Sequence, residues 1–313
     1  MNIVFILDPL DTIIPQKDTS FALMISAKKK GHSLFHVQDT DLIFKDGHLE
    51  FLVTPVDIDL SMTPPFKQDP LIVMTEKDVD VVFMRQNPPF GLNYLHCTWL
   101  LDQLSQTAVV NTPSGVRSVN EKLWALQFQD IVPKTVVSGK INVLTSFLNE
   151  EKDIILKPVN AFGGQGIFRV KETDANRNVI FETLTQNESQ PVIVQEYLPD
   201  AQNGDKRILL LNGDPLGAIL RVHGPDDHRN NFFAGGAPQQ TNITDTDMAI
   251  IDRIKPDLQR LGLYFVGIDI IGGKLIEVNV TSPTCICEMA PYYDEDLPEK
   301  VIEFSETLSN AYH

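Results

Sequence analysis

Asp269, Glu277 and Asn279 lie within VGIDIIGGKLIEVNVTSPT, residues 266–284, and together offer a set of hard oxygen donors. Two apolar runs flank Gly272-Gly273, so the segment reads as a β-hairpin. Glu277 and Asn279 are two apart and share one strand face. Such donors suit Mg²⁺, which takes one or two protein carboxylates and leaves its other positions to water and nucleotide phosphates. A solvated hairpin of alternating polarity is the competing reading. The metal reading requires Asp269 to pair with Glu277, hence an odd-length turn, most simply Gly272-Gly273-Lys274. A two-residue turn would set Asp269 opposite Ile276 and send Glu277 to the other face.

Cations accompany these oxygens. Lys157 ends an apolar run just before Pro158-Val159-Asn160-Ala161-Phe162-Gly163-Gly164-Gln165-Gly166. A glycine-rich loop lets backbone N–H groups approach phosphate oxygens while a neighbouring lysine supplies charge; a plain flexible hairpin is the alternative. The lysine precedes the glycines, which excludes the phosphate loop of GxxxxGK[ST] type. Arg207, Arg221 and Arg229 could clamp a transferring phosphoryl group, or simply form surface ion pairs. Gln195-Glu196-Tyr197-Leu198 leaves a buried run, where backbone groups can read an adenine edge and Glu196 or Asp205 can take ribose hydroxyls. Lys122 alone reads as a solvated helix residue, and His223 and His228 as solvated loop residues. The segment from His223 to Gly236 has the composition of a mobile lid, with Gly235-Gly236 as a hinge.

The elements that position these residues follow from periodicity and caps. Asn2–Leu7 reads as a buried strand, and Asp18 caps a helix on which Phe21, Met24 and Ile25 share a face before Gly31 ends it. Leu34–Val37, Val79–Met84 and Ala108–Asn111 are further strands, with a helix over roughly 92–105. This makes an open α/β layer, whose ligands bind beyond the carboxyl ends of the strands, where Asp8 and Arg85 lie. Helices are then expected over Glu121–Phe128 and near 141–150, followed by strands Ile154–Lys157, Ile167–Val170, Val192–Gln195, Arg207–Leu211 and Leu216–Val222. A helix near 245–261 precedes the hairpin. The chain divides into an N-terminal α/β substrate domain (1–119), a small central lobe (120–198) and a C-terminal lobe carrying the hairpin and lid (199–313).

Composition narrows the function classes. At 313 residues, 42% hydrophobic and 22% charged, this is an ordinary globular chain long enough for two or three domains. A net charge of −16 argues against nucleic acid and anionic membrane as partners, though a nucleotide site needs only a few placed cations. Three cysteines, Cys97, Cys285 and Cys287, are too few for a disulfide scaffold and fit a reducing cytoplasm. The N-terminal apolar run has no basic flank and ends at Asp8-Pro9, so it does not read as a targeting segment.

The segments DPLDTIIPQKDTSFALM, FMRQNPPF, VNEKLWA, ILKPVNAFGGQGIFRV, QEYLP, GDKRILLLNG and VGIDIIGGKLIEVNVTSPTCI resemble bacterial glutathione synthetases, members of the ATP-grasp ligase superfamily. They run from residue 8 to 286. The resemblance implies an N-terminal pre-ATP-grasp α/β domain followed by a two-lobed α+β ATP-grasp fold. It also implies ATP-dependent joining of γ-glutamylcysteine to glycine through an acyl phosphate, with Mg²⁺ or Mn²⁺, in a cytoplasmic homotetramer. Carried over, Lys122, Lys157 and the loop Phe162, Gly163, Gly164, Gln165 and Gly166 hold ATP phosphates. Gln195, Glu196, Tyr197 and Leu198 hold adenine, and Asp205 lies near ribose. Asp269, Glu277 and Asn279 hold the metal, while Arg207 and Arg221 stabilise the transferring phosphoryl group and the acyl phosphate. Arg85, Arg229, Asn231 and Asn279 face substrate, with Thr281-Ser282-Pro283-Thr284.

The chain departs from that pattern in three places. Asn160-Ala161 stands where the family usually has Asp-Gly, and His223-Gly224-Pro225-Asp226 where it often has Pro-Gln-Gly-Gly. Cys287 follows TSPTCI where the family usually has arginine, a residue suited to a substrate carboxylate. Another ATP-grasp carboxylate–amine ligase acting on a different peptide is therefore the second reading. A non-catalytic ATP-binding protein is the third, and the retained arginines count against it.

Overall fold

In the computed structural model, residues 1–224, 229, 230, 232 and 235–312 are described. The first sheet has a parallel centre made of β1 (Asn2–Ile6), β2 (Ser33–Val37), β7 (Val81–Met84) and β8 (Ala108–Val110), in the order β2-β1-β7-β8. β1 and β7 are continuous apolar runs because both of their faces are covered. Residues 38–75 add strands that the sequence reading had not placed. β4 (His48–Ile58) runs antiparallel to β2 and pairs with β3 (Leu42–Lys45), β5 (Phe66–Gln68) and β6 (Ile72–Thr75). Asp18 accepts from the Phe21 N–H at 2.7 Å and starts α1 (Thr19–Lys29). α2 (Leu92–Leu101) and the short α3 (Pro113–Arg117) complete this region.

The second sheet is antiparallel, in the order β11-β10-β12-β9, from β9 (Thr135–Ser138), β10 (Asp153–Pro158), β11 (Phe168–Lys171) and β12 (Val192–Glu196). α4 (Ile141–Glu151) and α5 (Arg177–Leu184) lay Leu144, Leu148 and Phe181 onto Ile154, Leu156 and Val194, giving this sheet its own core. The third sheet, also antiparallel, contains β13 (Asp205–Leu211), β14 (Asp214–Val222), β15 (Ala237–Gln239), β16 (Phe265–Ile271) and β17 (Lys274–Asn279) in the order β15-β14-β13-β16-β17. α6 (Asp245–Arg260), with a Thr244/Asp247 capping box, packs on it and is followed by α7 (Ile286–Met289) and α8 (Leu297–Asn310).

First and third sheets share their apolar cores, with Val4 and Val82 clustering with Ile268 and Val278. Asn111 stitches them together: its Nδ2 donates to the Phe265 and Val280 carbonyls at 2.8 Å, and its Oδ1 accepts from the Phe265 N–H. α8 returns to the N-terminal region, where Glu306 meets His32 Nε2 at 2.7 Å. Among the described residues no helix is long and apolar enough to cross a membrane.

Two expectations are corrected. The turn between β16 and β17 has two residues, not three: Ile271 pairs with Lys274, and Gly272 and Gly273 take φ of 54° and 72°, which a tight hairpin of this hand demands. Asp269 still opposes Glu277, because a β-bulge places one extra residue, Ile276, in β17. Second, residues 121–128 do not form an α-helix. Only Trp124–Gln127 makes a short 3₁₀ turn, because Glu121 is strapped to the hairpin edge: its carbonyl accepts from the Val278 N–H, and its Oε1 from the Val280 and Thr281 N–H groups and Thr281 Oγ1.

Candidate active site

A cavity of about 470 Å³ lies between the second and third sheets. One part is apolar, with Ile155 from β10 facing Ile271 and Ile276 of the hairpin and Leu198 of the connecting segment. The bulge explains why Ile276 and Glu277, neighbours in β17, both line it. Such a slot suits a flat heteroaromatic ring, and the Leu198 N–H makes no hydrogen bond among the described residues, leaving a donor for it. Glu196 and Tyr197 line the slot but are partly committed. Lys134 N–H donates to Glu196 Oε1 at 2.8 Å, and Tyr197 N–H to the Asp153 carbonyl at 3.0 Å.

The other part is a charged row across three strands. Strand alternation puts Asp205 and Arg207 on one face of β13, while register places Arg221 opposite Asp205 and Asp269 opposite Arg207. Arg207 grips Asp269 with Nε at 2.5 Å and Nη2 at 3.0 Å. Arg221 grips Asp205 with both Nε and Nη2 at 2.7 Å, and its Nη2 also reaches Asp269 Oδ2 at 2.9 Å. All four are buried. Burial alone would push the Asp269 carboxyl up, but Arg207 and Arg221 outweigh it and hold it well below its ordinary range. These bidentate pairs fix both guanidinium planes and leave each Nη1 without a hydrogen-bond partner among the described residues. Two uncommitted donor groups on cavity-lining arginines suit an anion that develops charge beside them.

Lys157 reaches the cavity from β10 and donates to Gln195 Oε1, whose amide nitrogen donates to Thr135 Oγ1 at 2.9 Å. Burial, reinforced by the nearby positive charge of Lys122, pulls its ammonium down to about 8. The loop after it turns on Gly163, Gly164 and Gly166, whose φ angles of 62°, 78° and 68° are ones that L side chains rarely adopt. Phe162, Gly163, Gly164 and Gln165 line the cavity, while Gly166 packs against Pro158. Lys122 Nζ meets Glu277 Oε1 at 2.8 Å and donates to the Ala161 carbonyl, joining hairpin and loop. Arg229 Nη1 donates to the Gly164 carbonyl at 3.2 Å, so this residue of the segment expected to act as a lid touches the same loop.

The remaining expected residues fall into three groups. Asn279, Thr281, Ser282 and Thr284 line the cavity. Pro283 is buried behind it, where its carbonyl accepts from Arg85 Nη2 at 2.8 Å, and Arg85 lines a smaller adjoining cavity instead. Asn231 and His228 lie outside the described residues. Asp205 has both oxygens hydrogen-bonded to Arg221, so in this arrangement it orients that arginine. Glu121 was not anticipated. It is a cavity-lining carboxylate raised by burial and by Glu277, and it holds the Thr281 backbone. Its position beside Lys122 was the only signal in the sequence.

Uncommitted donors test the metal reading. Glu277 Oε2 and Asn279 Oδ1 make no hydrogen bond among the described residues, whereas both Asp269 oxygens are engaged by arginine. No group of three His, Cys, Asp or Glu residues that could hold a metal occurs among the described residues. Carboxylate and amide oxygens in this small number fit a hard cation completed by phosphate and water, and not a zinc site.

The fold has close counterparts among solved structures. It superposes on the D-cycloserine synthetase DcsG with a TM-score of 0.69 at 12% identity, over 99% of this chain and 100% of that one. The ATP-grasp ligase PsnB, solved with a phosphomimetic variant of its minimal precursor, Mg and ADP, gives 0.64 at 15% identity over 98% of each chain. The architecture is that of the ATP-grasp ligases. Residues 1–117 match the family model of the prokaryotic glutathione synthetase N-terminal domain, and 121–294 that of its ATP-grasp domain. Glutathione synthetases of Vibrio parahaemolyticus serotype O3:K6 and of a Synechocystis species are 37% and 40% identical over 305 and 315 residues, covering 95% and 96% of this chain and 95% and 98% of theirs. The chain belongs to the prokaryotic glutathione synthetase family.

Proposed function

We propose that this protein joins γ-glutamylcysteine to glycine with ATP, giving glutathione, ADP and phosphate. The observation that carries the chemistry is the pair of carboxylate-fixed arginines, each with an uncommitted Nη1, in a cavity that also holds Lys157 and an apolar slot. The cysteinyl carboxylate oxygen attacks the γ-phosphorus, the bond to the β–γ bridging oxygen breaks, and ADP leaves. The glycine nitrogen then attacks the acyl carbon, the carbon–oxygen bond to phosphate breaks, and the amine releases a proton. Arg207 and Arg221 face the charge that grows on the phosphoryl oxygens and on the acyl phosphate. Asp205 and Asp269 act by positioning them.

Lys157, Lys122 and the loop 162–166 hold the ATP phosphates in this reading, and the slot at Tyr197 and Leu198 holds adenine. Glu277 and Asn279, with Asp269 beside them, would hold Mg²⁺, whose charge neutralises the phosphate oxygens during transfer. Mn²⁺ could fill the same oxygen set. Residues 1–119 supply the peptide end of the site, while 120–198 and 199–313 are the lobes that close over the nucleotide. The assignment extends to a cytoplasmic homotetramer, a mass that light scattering would read directly. Cys287 keeps one alternative open, a ligase of this class acting on a different peptide. The deciding assay is ADP release by purified protein with Mg-ATP: it should require both γ-glutamylcysteine and glycine. Release with another peptide and none with γ-glutamylcysteine would leave only the ligase class standing.

A further inference from the structure

A charged cluster outside the phosphoryl row sits on the second sheet. Register places Arg169 of β11 and Gln195 of β12 on either side of Ile155 in β10, and directly opposed residues share a face. Arg169 therefore stands on the face whose Ile155 lines the apolar slot. Its guanidinium grips Asp153, two residues earlier on the same face of β10, with Nε at 3.0 Å on Oδ1 and Nη2 at 2.7 Å on Oδ2. Its Cζ lies over the Tyr197 ring, 3.5 Å from the centroid. The two charged side chains are 27% and 26% exposed, and an ion pair that open contributes little by itself. Its use is to hold the guanidinium over the aromatic face, well inside the reach of a cation–π contact.

Tyr197 is thereby held twice. Its N–H donates to the Asp153 carbonyl at 3.0 Å, and its ring lies under the guanidinium that the same aspartate orients. Glu196 before it is tied to Lys134, giving its N–H to the Lys134 carbonyl and taking the Lys134 N–H on Oε1. Beyond Tyr197 the backbone donors are no longer tied to the sheet. The Leu198 N–H has no partner among the described residues, Pro199 has no N–H, and the chain crosses to the third sheet, where β13 begins at Asp205. Tyr197 is the last anchored residue before the donor at the slot, so the placement of the Leu198 N–H follows that of Tyr197. Arg169 itself is not part of the cavity wall, whereas Tyr197 is.

We propose that Arg169 is a positioning residue for the nucleotide base: through the Tyr197 ring it fixes the Leu198 N–H against the edge of adenine, and so sets the preference for adenine over guanine. This deepens the ligase reading and rests on adenine occupying the apolar slot. Adenine presents a ring-nitrogen acceptor, N1, on the edge where guanine carries an N–H. A fixed backbone donor therefore pairs with adenine and meets another donor in guanine, leaving both unpaired. The discrimination depends on that fixity, because a segment free to shift or to turn its peptide would accept either ring. Acting only through Tyr197, Arg169 bears on nucleotide affinity and selectivity and leaves the transfer step alone.

The test is steady-state kinetics with ATP and GTP on the full chain. Arg169→Met should raise the KM for ATP about 3- to 30-fold, the range of a partly desolvated cation–π contact, and lower the ATP-over-GTP ratio of kcat/KM about tenfold. The kcat at saturating ATP and the KM for γ-glutamylcysteine should stay as they are. Arg169→Lys should not rescue the ratio, because an ammonium lacks the planar fork that serves carboxylate and ring together. Tyr197→Leu should reproduce the loss, Tyr197→Phe should lose less, and Arg169→Met should add little to Tyr197→Leu. The Tyr197 pair reports the same contact should Arg169→Met not fold. Additive losses, or all constants moving together with rescue by Arg169→Lys, would overturn the positioning role. Calorimetry separates that failure from a failure of the slot. A wild type that binds ATP no more tightly than GTP or inorganic triphosphate would overturn the adenine slot and the role of Arg169 with it. A wild type that prefers ATP, with the preference intact in Arg169→Met and Tyr197→Leu, would overturn the role of Arg169 alone.

Discussion

Lys157 should make nucleotide affinity depend on pH in a range where few other groups titrate. Its ammonium is buried beside Lys122 and pulled down to about 8. That displacement from the ordinary lysine value corresponds to about 3 kcal/mol of disfavoured charge in the empty site. Phosphate oxygens beside it favour the charged form, so ATP and the proton bind cooperatively and affinity falls as pH rises through the free-site value. If bound nucleotide restores the ordinary pKa, affinity should weaken about eightfold between about pH 7.5 and 9, a window above the nucleotide's own last phosphate ionisation. Binding near pH 8.5 should then take up roughly three-quarters of a proton, read as a dependence of the observed heat on the buffer's ionisation enthalpy. Lys157→Arg should flatten both, since guanidinium stays charged throughout. Lys157→Ala should lower the rate by about 100-fold or more, the order of one lost electrostatic contact to the transition state. The sign for folding is opposite. Between about 8 and the unfolded-state value the unfolded chain binds more protons, so this group makes the empty protein more stable as pH rises. Calorimetry showing pH-independent ATP affinity in the wild type, or the same slope in Lys157→Arg, would refute the reasoning.

The charged row gives a contrast within one hairpin. Asp269→Asn leaves Arg207 and Arg221 buried with a single carboxylate and should lower stability by about 3–5 kcal/mol in denaturant titration, whereas Glu277→Gln, at the half-buried end, should keep its fold and lose about 100-fold in rate. Equal stability losses would mean that the arginines do not depend on Asp269. Gly115→Ala should lower the thermal midpoint by several degrees, because a Cβ there would sit 2.0 Å from the Leu261 carbonyl oxygen. Limited proteolysis between His223 and Gly236 should slow when ATP, Mg²⁺ and dipeptide are present, since Arg229 already reaches the Gly164 carbonyl; unchanged cleavage would remove the lid role. Cys287 donates its thiol to the Asp18 carbonyl at 3.4 Å, beside the small cavity. Cys287→Arg should therefore lower the KM for γ-glutamylcysteine about tenfold while leaving that for ATP alone, and movement of both constants together would assign the position to packing.

Reading the fold from sequence worked where one element carries one strong signal. β1, β7 and β8 are apolar runs bounded by polar residues, and α6 shows its period and its cap. It failed where the signal is divided. β4 alternates inward Leu49, Phe51, Val53, Val56 and Ile58 with polar neighbours, yet Pro55 interrupts the run, and its partners β3, β5 and β6 are three or four residues long. α5 buries only Phe181 fully, too little to show a stripe. At the site, residue types were legible and their pairings were not. The bulge at Ile276 decides which face Glu277 takes, and no local residue preference announces one extra residue in a strand. Apolar spacing over 121–128 imitates a helix, whereas the groups that settle its course, on Val278, Val280 and Thr281, lie more than a hundred and fifty residues away.

That dependence on distant partners is also what makes the site stiff. Arg207 and Arg221 could not remain buried alone, and Asp205 and Asp269 could not remain ionised alone. Placed in alternation across β14, β13 and β16, they neutralise one another, and sheet register fixes their spacing more firmly than side-chain preference could. The carboxylates are satisfied, while each guanidinium keeps an Nη1 without a hydrogen-bond partner among the described residues, because each bidentate grip occupies Nε and Nη2. An anion arriving there meets donors that need little reorganisation, which is the condition under which such contacts lower a barrier most. The opposing sheet contributes the complementary kind of cation. Among the described residues Lys157 is hydrogen-bonded to the Gln195 amide and to no carboxylate, and burial disfavours its charge in the empty site. In the proposed reaction, fixed arginines on one sheet and a charge-starved lysine on the other would therefore divide the work: the lysine would gain most when phosphate binds, and the arginines when charge moves.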